Sequence, residues 1–239
     1  MGQYQRVVVL TGAGISADSG LATFRDSNGL WENHRIEEVA TPEAFDRNPE
    51  LVHRFYNARR VAAAQARPNP AHQCLAHVEQ QCDDFLLISQ NVDDLHQRAG
   101  SQQLISMHGQ LNLSQCLSCG AIDDVLPPTT LNTESQCRHC QQTGTLRPHI
   151  VWFGEMPLQM DDIMLRLMNC DLFVAIGTSG IVYPAAGFVE IAKNHQARTV
   201  MLNLEGTDND LFDQVKTGPA TQVVPAYFYD ELGFKRPVL

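Results

Sequence analysis

Four cysteines stand at Cys116, Cys119, Cys137 and Cys140, two C-x2-C pairs separated by seventeen residues. Thiolates two residues apart grip one face of a metal from a tight turn. A second such pair completes a closed tetrahedral site with no position left for substrate. The chemistry favoured by this spacing is one structural zinc, with two disulfides or unpaired buried thiols as the alternatives. His139 adjoins Cys140, but four thiolates already fill the tetrahedron. Cys74, Cys82 and Cys170 fall in apolar or helix-like stretches and read as small core hydrophobes.

A second group of residues has the types needed to hold a nucleotide. Gly12, Ala13, Gly14, Ile15, Ser16 and Ala17 form a G-x-G-x-x-A turn directly after an apolar run. In such a turn backbone N–H groups and a helix dipole approach a pyrophosphate, although a plain strand-to-helix turn also uses two glycines. The acid that normally binds a ribose about twenty residues further on is missing. Glu32, Glu37 and Glu38 lie in an aperiodic stretch instead, which speaks against an ordinary dehydrogenase. Gln90, Asn91 and Asp93 follow a later apolar run. They fit ligand contacts at a strand's carboxyl end, or Asp93 or Asp94 caps a short turn to Ala99. His108 follows a further short run, where a near-neutral imidazole suits a general base. With nine histidines in the chain, a surface or packing role is its alternative. Tyr56 and Arg59 are three apart in a helical pattern and project from one face. Taken alone, that pair reads as structural.

These side chains need elements to position them, and the apolar runs supply an α/β rhythm. Residues 6–11 (RVVVLT), 85–89 (FLLIS), 172–176 (LFVAI) and 199–204 (TVMLNL) are short and continuous, as strands buried on both faces of a parallel sheet are. Pro49 starts a helix to about residue 65, and Asn69-Pro70 repeats the signal before a helix over 71–80. Helices are also expected over 160–168 and 184–193. Residues 19–44 show little periodicity and read as a long functional loop. Residues 115–145, with the cysteines, Pro127, Pro128 and a polar 129–136 stretch, cannot bury much core, so the metal must organise them. The chain contains no internal repeat.

With 239 residues and 44% hydrophobic content, one large domain, or one domain with an insertion, is within reach. A net charge of −10 argues against gripping phosphate backbones and is compatible with basic protein segments. The short polar N-terminus lacks a secretory signal, and no stretch approaches the ~20 apolar residues of a membrane span. Free thiols then suit a reducing, cytoplasmic setting, with no membrane partner and no direct nucleic-acid binding.

In order along the chain, GAGISADSGLATFR, SQNVDDLHQRAG, MHG, the cysteine quartet, VWFGEMP, GTS and NLE resemble the sirtuins over residues 8–225. The resemblance implies an α/β fold, a Rossmann-like parallel sheet with a small zinc-binding insertion (about 115–145) and a helical module (about 41–65). The whole chain, 1–239, would be one deacylase domain. It implies NAD as a consumed co-substrate, one structural zinc, and acyl-lysine side chains of proteins as partners. Deacylated lysine, nicotinamide and O-acyl-ADP-ribose would be the products. Carried over by motif, His108 is the base for a ribose hydroxyl. The NAD contacts are Gly12, Ala13, Gly14, Ser16, Ala17, Phe24, Arg25, Gln90, Asn91, Val92, Asp93, Gly177, Thr178, Ser179, Asn203, Leu204, Glu205 and Ala220. Val92 departs from the family's usual isoleucine and trims one methylene from the nicotinamide pocket. Residues 151–155 resemble the segment that pairs edge-on with a substrate backbone. Tyr56 and Arg59 resemble the pair of those sirtuins that remove malonyl and succinyl groups, and Ala40 the small residue that leaves room for them. A guanidinium offers a fork for the acyl carboxylate and a phenol adds a hydrogen bond; acetyl-lysine is implied as a second substrate. An NAD-reducing oxidoreductase and a nucleic-acid-binding zinc ribbon are the rival readings.

Overall fold

The valines of the first apolar run alternate between two cores, and that alternation sets the architecture. This computed structural model describes residues 4–22, 30–31 and 34–237. Strand β1 (Arg6–Thr11) sends Val7 and Val9 to one face and Val8 and Leu10 to the other. A short antiparallel ribbon follows, β2 (Leu30–Trp31) with β3 (His34–Arg35). Next come β4 (Asp84–Ser89) and β5 (Leu104–Ser106), then β6 (Gly109–Cys116), β7 (Ile122–Asp124) and β8 (Leu146–Ile150). Strands β9 (Leu172–Ile176), β10 (Arg198–Asn203) and β11 (Gln214–Thr217) complete the set. Six strands form one sheet in the order β11-β10-β9-β1-β4-β5, and every pairing in it is parallel. A separate antiparallel sheet has the order β7-β6-β8.

Helices cover both faces of the parallel sheet, as a sheet buried on two sides requires. In chain order they are α1 (Ile36–Val39), α2 (Pro42–Arg47), α3 (Pro49–Gln65), α4 (Pro70–Glu79), α5 (Leu95–Ala99), α6 (Met160–Asn169), α7 (Phe188–Asn194) and α8 (Ala220–Pro225). From α4, Ala71, Cys74, Leu75 and Val78 pack with Val224 of α8 against the Val7/Val9 face. From α6 and α7, Ile163, Leu167, Phe188 and Ala192 pack against the Val8/Leu10 face. Asn48 and Asn69 cap α3 and α4 through their side chains, each just before a proline at the first helical turn.

A third core joins α1, α2 and α3 to Leu111 of β6, Ile150 of β8 and Trp152. The fourth holds Cys116, Val125, Leu131, Cys137 and Leu146. Several expectations shift here. The 19–44 stretch is not all loop in its described part: it contains β3 and α1, with Val39 and Ala40 in the third core. The helix expected over 184–193 is a 3-10 turn, Ala185–Gly187, running into α7. Strand β11 is not legible in the sequence, because an edge strand half open to water lacks an apolar run.

Candidate active site

Chain order makes the site. From β1 the chain builds β4 and β5 on one side, then β9, β10 and β11 on the other. The sheet therefore has its topological switch at the carboxyl ends of β1 and β9, where open α/β sheets bind ligands. The turns that leave those two strands touch by backbone. Gly12 N–H donates to the Ile176 carbonyl at 2.9 Å and Gly14 N–H to the Gly177 carbonyl at 2.8 Å. A Cβ on Gly14 would stand 2.8 Å from the Gly177 Cα, and Gly177 itself holds φ +58. These glycines are required by the close approach of two backbones.

A cavity of about 620 Å³ opens on this junction. Sixteen of the cofactor candidates line it: Gly12, Ala13, Gly14, Ser16, Ala17, Gln90, Asn91, Val92, Asp93, Gly177, Thr178, Ser179, Asn203, Leu204, Glu205 and Ala220. Phe24 and Arg25 lie outside the described residues. His108, Tyr56, Arg59 and Ala40 line the same cavity.

Polar bonds lock the floor. Asn91 Nδ2 donates to Ser16 Oγ at 3.1 Å, and Ser16 Oγ donates to Asp93 Oδ2 at 3.1 Å. Asp93 Oδ1 also accepts from Leu95 N, the first residue of α5, at 3.1 Å, while Asp94 at the N-cap position makes no side-chain cap bond. Burial pushes the Asp93 carboxyl above its ordinary range, and those bonds oppose the rise. Behind Ser16 stands His72, fully buried, with Nε2 3.4 Å from Ser16 Oγ and Nδ1 accepting from Asn69 N. Burial lowers the His72 imidazole to about 4, so it is neutral at neutral pH. No motif in the sequence marks His72; its one available signal is its place three residues into a helix capped by Asn69.

His108 is half-buried, with Nδ1 2.9 Å from the Gln90 carbonyl. A carbonyl only accepts, so Nδ1 carries the hydrogen and Nε2 keeps a lone pair. Burial lowers this imidazole below its ordinary 6.5, opposed by the Gln90 bond. The next residue, Gly109, has φ +83, and a Cβ there would collide with the His149 carbonyl as β6 meets β8. That geometry explains glycine in the MHG motif.

At the far end of the cavity, Tyr56 of α3 is fully buried and its hydroxyl accepts from Trp152 Nε1 at 2.9 Å. An indole N–H only donates, so any bond made by the phenol's own hydrogen points elsewhere. Arg147 lies over the Trp152 ring at 3.5 Å and pairs with Glu155 at 2.7 Å. Glu155 in turn accepts from Trp152 N at 2.8 Å. Arg59, one helical turn on from Tyr56, is half-buried on the same cavity wall.

The four cysteines form a cluster apart from that cavity. Their Sγ atoms lie within 4.8 Å of one another, with Cys116–Cys140 at 3.6 Å and Cys119–Cys137 at 3.8 Å. Tetrahedral zinc with Zn–S of about 2.3 Å needs sulfurs roughly 3.8 Å apart, so the cluster fits the ion. None of the four lines the cavity. His139 turns to Asp123 at 3.1 Å rather than to the sulfurs.

The Sir2 family model matches residues 12–184. The chain belongs to the Sir2 family. An NAD-dependent protein deacylase of Salmonella typhimurium is 54% identical over 230 residues, covering 93% of this chain and 82% of that relative. Among solved structures, a Sir2 homologue in complex with NAD superimposes with a TM-score of 0.85 at 38% identity, covering 93% of this chain and 87% of that one. A Sir2 protein bound to an acetylated peptide gives a TM-score of 0.82 at 29% identity, covering 98% and 95%. This sirtuin carries a parallel Rossmann-like sheet and a four-cysteine cluster suited to zinc. Among the described residues no helix is long and apolar enough to cross a membrane.

Proposed function

We propose that the cleft removes acyl groups, acidic ones included, from lysine side chains of proteins while consuming NAD. The whole chain, 1–239, acts as one catalytic domain in this reading, and the helical and metal-binding parts form one wall of its cleft. The observation that carries the proposal is a single cavity lined by the glycine junction, by His108 and by Tyr56 with Arg59. The switch-point turns hold the dinucleotide, and Phe24 and Arg25, outside the described residues, are assigned to it on the family resemblance alone. Asn91, Asp93 and Val92 surround its nicotinamide end, where the Ser16 bridge fixes the two polar side chains. Residues 151–155, with Phe153 exposed, pair with the peptide through carbonyls, since the N–H groups of Val151, Trp152, Phe153 and Glu155 are bonded within the chain.

In the reaction the bond from ribose to nicotinamide breaks and the acyl oxygen takes its place. The chain supplies orientation and a dry pocket rather than a nucleophile. His108 Nε2 accepts the proton of a ribose hydroxyl as that oxygen bonds to the acyl carbon. Water supplies the new acyl carbonyl oxygen, the bond from acyl carbon to lysine nitrogen breaks, and free lysine departs, leaving the acyl group on ADP-ribose. Zinc held by Cys116, Cys119, Cys137 and Cys140 supplies folding stability rather than Lewis acidity, since four thiolates close the site.

For the acyl group, Arg59 provides a charge-assisted fork to a terminal carboxylate and Tyr56 a hydrogen bond, with Ala40 leaving space. Succinyl and malonyl groups have that carboxylate; acetyl lacks it and is accommodated without it. Burial keeps the Tyr56 phenol well above its ordinary range and therefore protonated, as a donor must be. The test incubates the protein with NAD and a succinyl-lysine peptide and identifies products by mass spectrometry. Free nicotinamide and O-succinyl-ADP-ribose are expected. Accumulation of reduced cofactor with no nicotinamide overturns the proposal in favour of an oxidoreductase.

A further inference from the structure

Helix α3 presents two i, i+3 pairs offset by one residue, and therefore by about 100° around its axis. Tyr56 and Arg59 line the cavity; Asn57 and Arg60 do not. Asn57 instead reaches the metal-binding part of the chain. Its Nδ2 donates to the Leu131 carbonyl at 2.8 Å, and its Oδ1 accepts from Leu131 N at 3.0 Å. The same oxygen accepts from Arg60 Nη1 at 2.7 Å, while Arg60 Nε donates to the Leu111 carbonyl at 2.7 Å. Arg60 is 1% exposed, so these bonds are sheltered from water.

Leu131 joins the helix to the sulfurs. Its side chain packs with Cys116, Cys137 and Leu146 in the core around them, whereas both its backbone polar groups are taken by Asn57. Leu111 lies on β6, the strand that begins next to His108 and ends at Cys116. Asn57 thus ties the helix to the cysteine core through Leu131, and Arg60 ties it to β6, the strand that ends at Cys116.

We infer that Asn57 is a positioning residue for acyl selection, transmitting the order of the cysteine-held core to Tyr56 and Arg59. The inference rests on the reading that those two side chains bind the acyl carboxylate. A two-ended hydrogen-bonded tie fixes the rotation of α3 about its axis. A bidentate fork tolerates little rotation, whereas an acetyl group makes no contact that requires it. Coupling is reciprocal, so the same tie steadies the metal core.

The experiment uses the zinc-loaded chain with four substitutions: Asn57→Ala, Asn57→Asp, Arg59→Met, and Asn57→Ala combined with Arg59→Met. KM and kcat are measured for succinyl-lysine and acetyl-lysine peptides, and zinc release is followed with a chromogenic chelator. Asn57→Ala should raise KM for the succinyl peptide about tenfold, the size of one or two lost buried hydrogen bonds. It should shift acetyl turnover about twofold at most and speed zinc release several-fold. Asn57→Asp keeps the acceptor for Leu131 N and Arg60 but sets a carboxylate oxygen against the Leu131 carbonyl in place of the donor. It should show the same selective pattern, a raised succinyl KM with acetyl turnover held, and it keeps the test open if Asn57→Ala does not fold. In the Arg59→Met background the succinyl effect of Asn57→Ala should vanish. Equal loss on both peptides from Asn57→Ala, persistence of its effect without Arg59, or an unchanged zinc-release rate overturns the inference. Equal loss from Arg59→Met alone marks instead the failure of the carboxylate reading, which the other variants do not address.

Discussion

Where β1 and β9 meet, the cleft wall is backbone: Gly12, Gly14 and Gly177 pass so closely that no Cβ fits at Gly14 without moving main chain. Between α3 and Trp152 the wall is side chain: Trp152 holds Tyr56, and Asn57 and Arg60 tie the helix that carries Tyr56 and Arg59 to Leu131 and Leu111. The first end depends on turns fixed by sheet topology. The second depends on rotamers fixed by packing and hydrogen bonds. A backbone-built end has little freedom to change its ligand, whereas a side-chain-built end changes specificity by one substitution and leaves the fold in place.

His108 lines the cavity that both ends share and acts whatever the acyl group, so its loss should have the largest effect. His108→Tyr should lower turnover of every acyl-lysine peptide by about 10² to 10⁴, with fold and zinc content retained. Near-normal turnover on either peptide would falsify the assignment of the base. Substitutions at the acyl end should act selectively. Arg59→Met should raise KM for a succinyl-lysine peptide about ten- to a hundredfold, the weight of a bond of roughly 1.5–3 kcal/mol to a charged group. The acetyl-lysine peptide should be affected far less. An equal loss on both would make the pair structural and leave a plain deacetylase.

Tyr56→Phe should be milder for succinyl-lysine, several-fold, because a neutral hydrogen bond contributes about 0.5–1.5 kcal/mol. It also strips the acceptor from Trp152 Nε1, so a fall in the thermal midpoint should accompany it; an unchanged midpoint contradicts that bond. The smallest expected effect is on pH. His108 must be neutral to accept a proton, and burial lowers its pKa. The acid limb of kcat/KM should therefore have its midpoint below 6.5, with activity lost as pH falls through it. A midpoint above 6.5 would require a neighbouring negative charge that no described residue places beside the ring.

Legibility in the sequence follows the same division. The parallel sheet is readable because strands buried on both faces need continuous apolar runs, as in LFVAI. The turns are readable because only glycine permits the approach that Gly14 and Gly177 make. The cysteine cluster is readable from spacing, since two pairs of thiols in tight turns leave a fixed signature. Tyr56 with Arg59 carry no such mark by themselves, and resemblance to a family has to speak for them. His72, Asn57 and Leu131 are illegible: their roles come from contacts across 56 and 74 residues that no local pattern encodes. Strand β11 and helix α1 escape notice for a related reason, one lacking an apolar run and the other spanning a single turn.

The separation of the two ends is tested most directly by one paired measurement on Gly14→Ala and Arg59→Met. KM for NAD and the succinyl-to-acetyl ratio of kcat/KM are determined side by side with the parent. Gly14→Ala forces a backbone shift costing about 1–3 kcal/mol and should raise KM for NAD roughly tenfold while the acyl ratio holds. Arg59→Met should cut the acyl ratio by at least about tenfold while KM for NAD stays within roughly twofold. If each substitution moves both quantities together, the cleft is one undivided site, and its backbone-built and side-chain-built ends do not act separately.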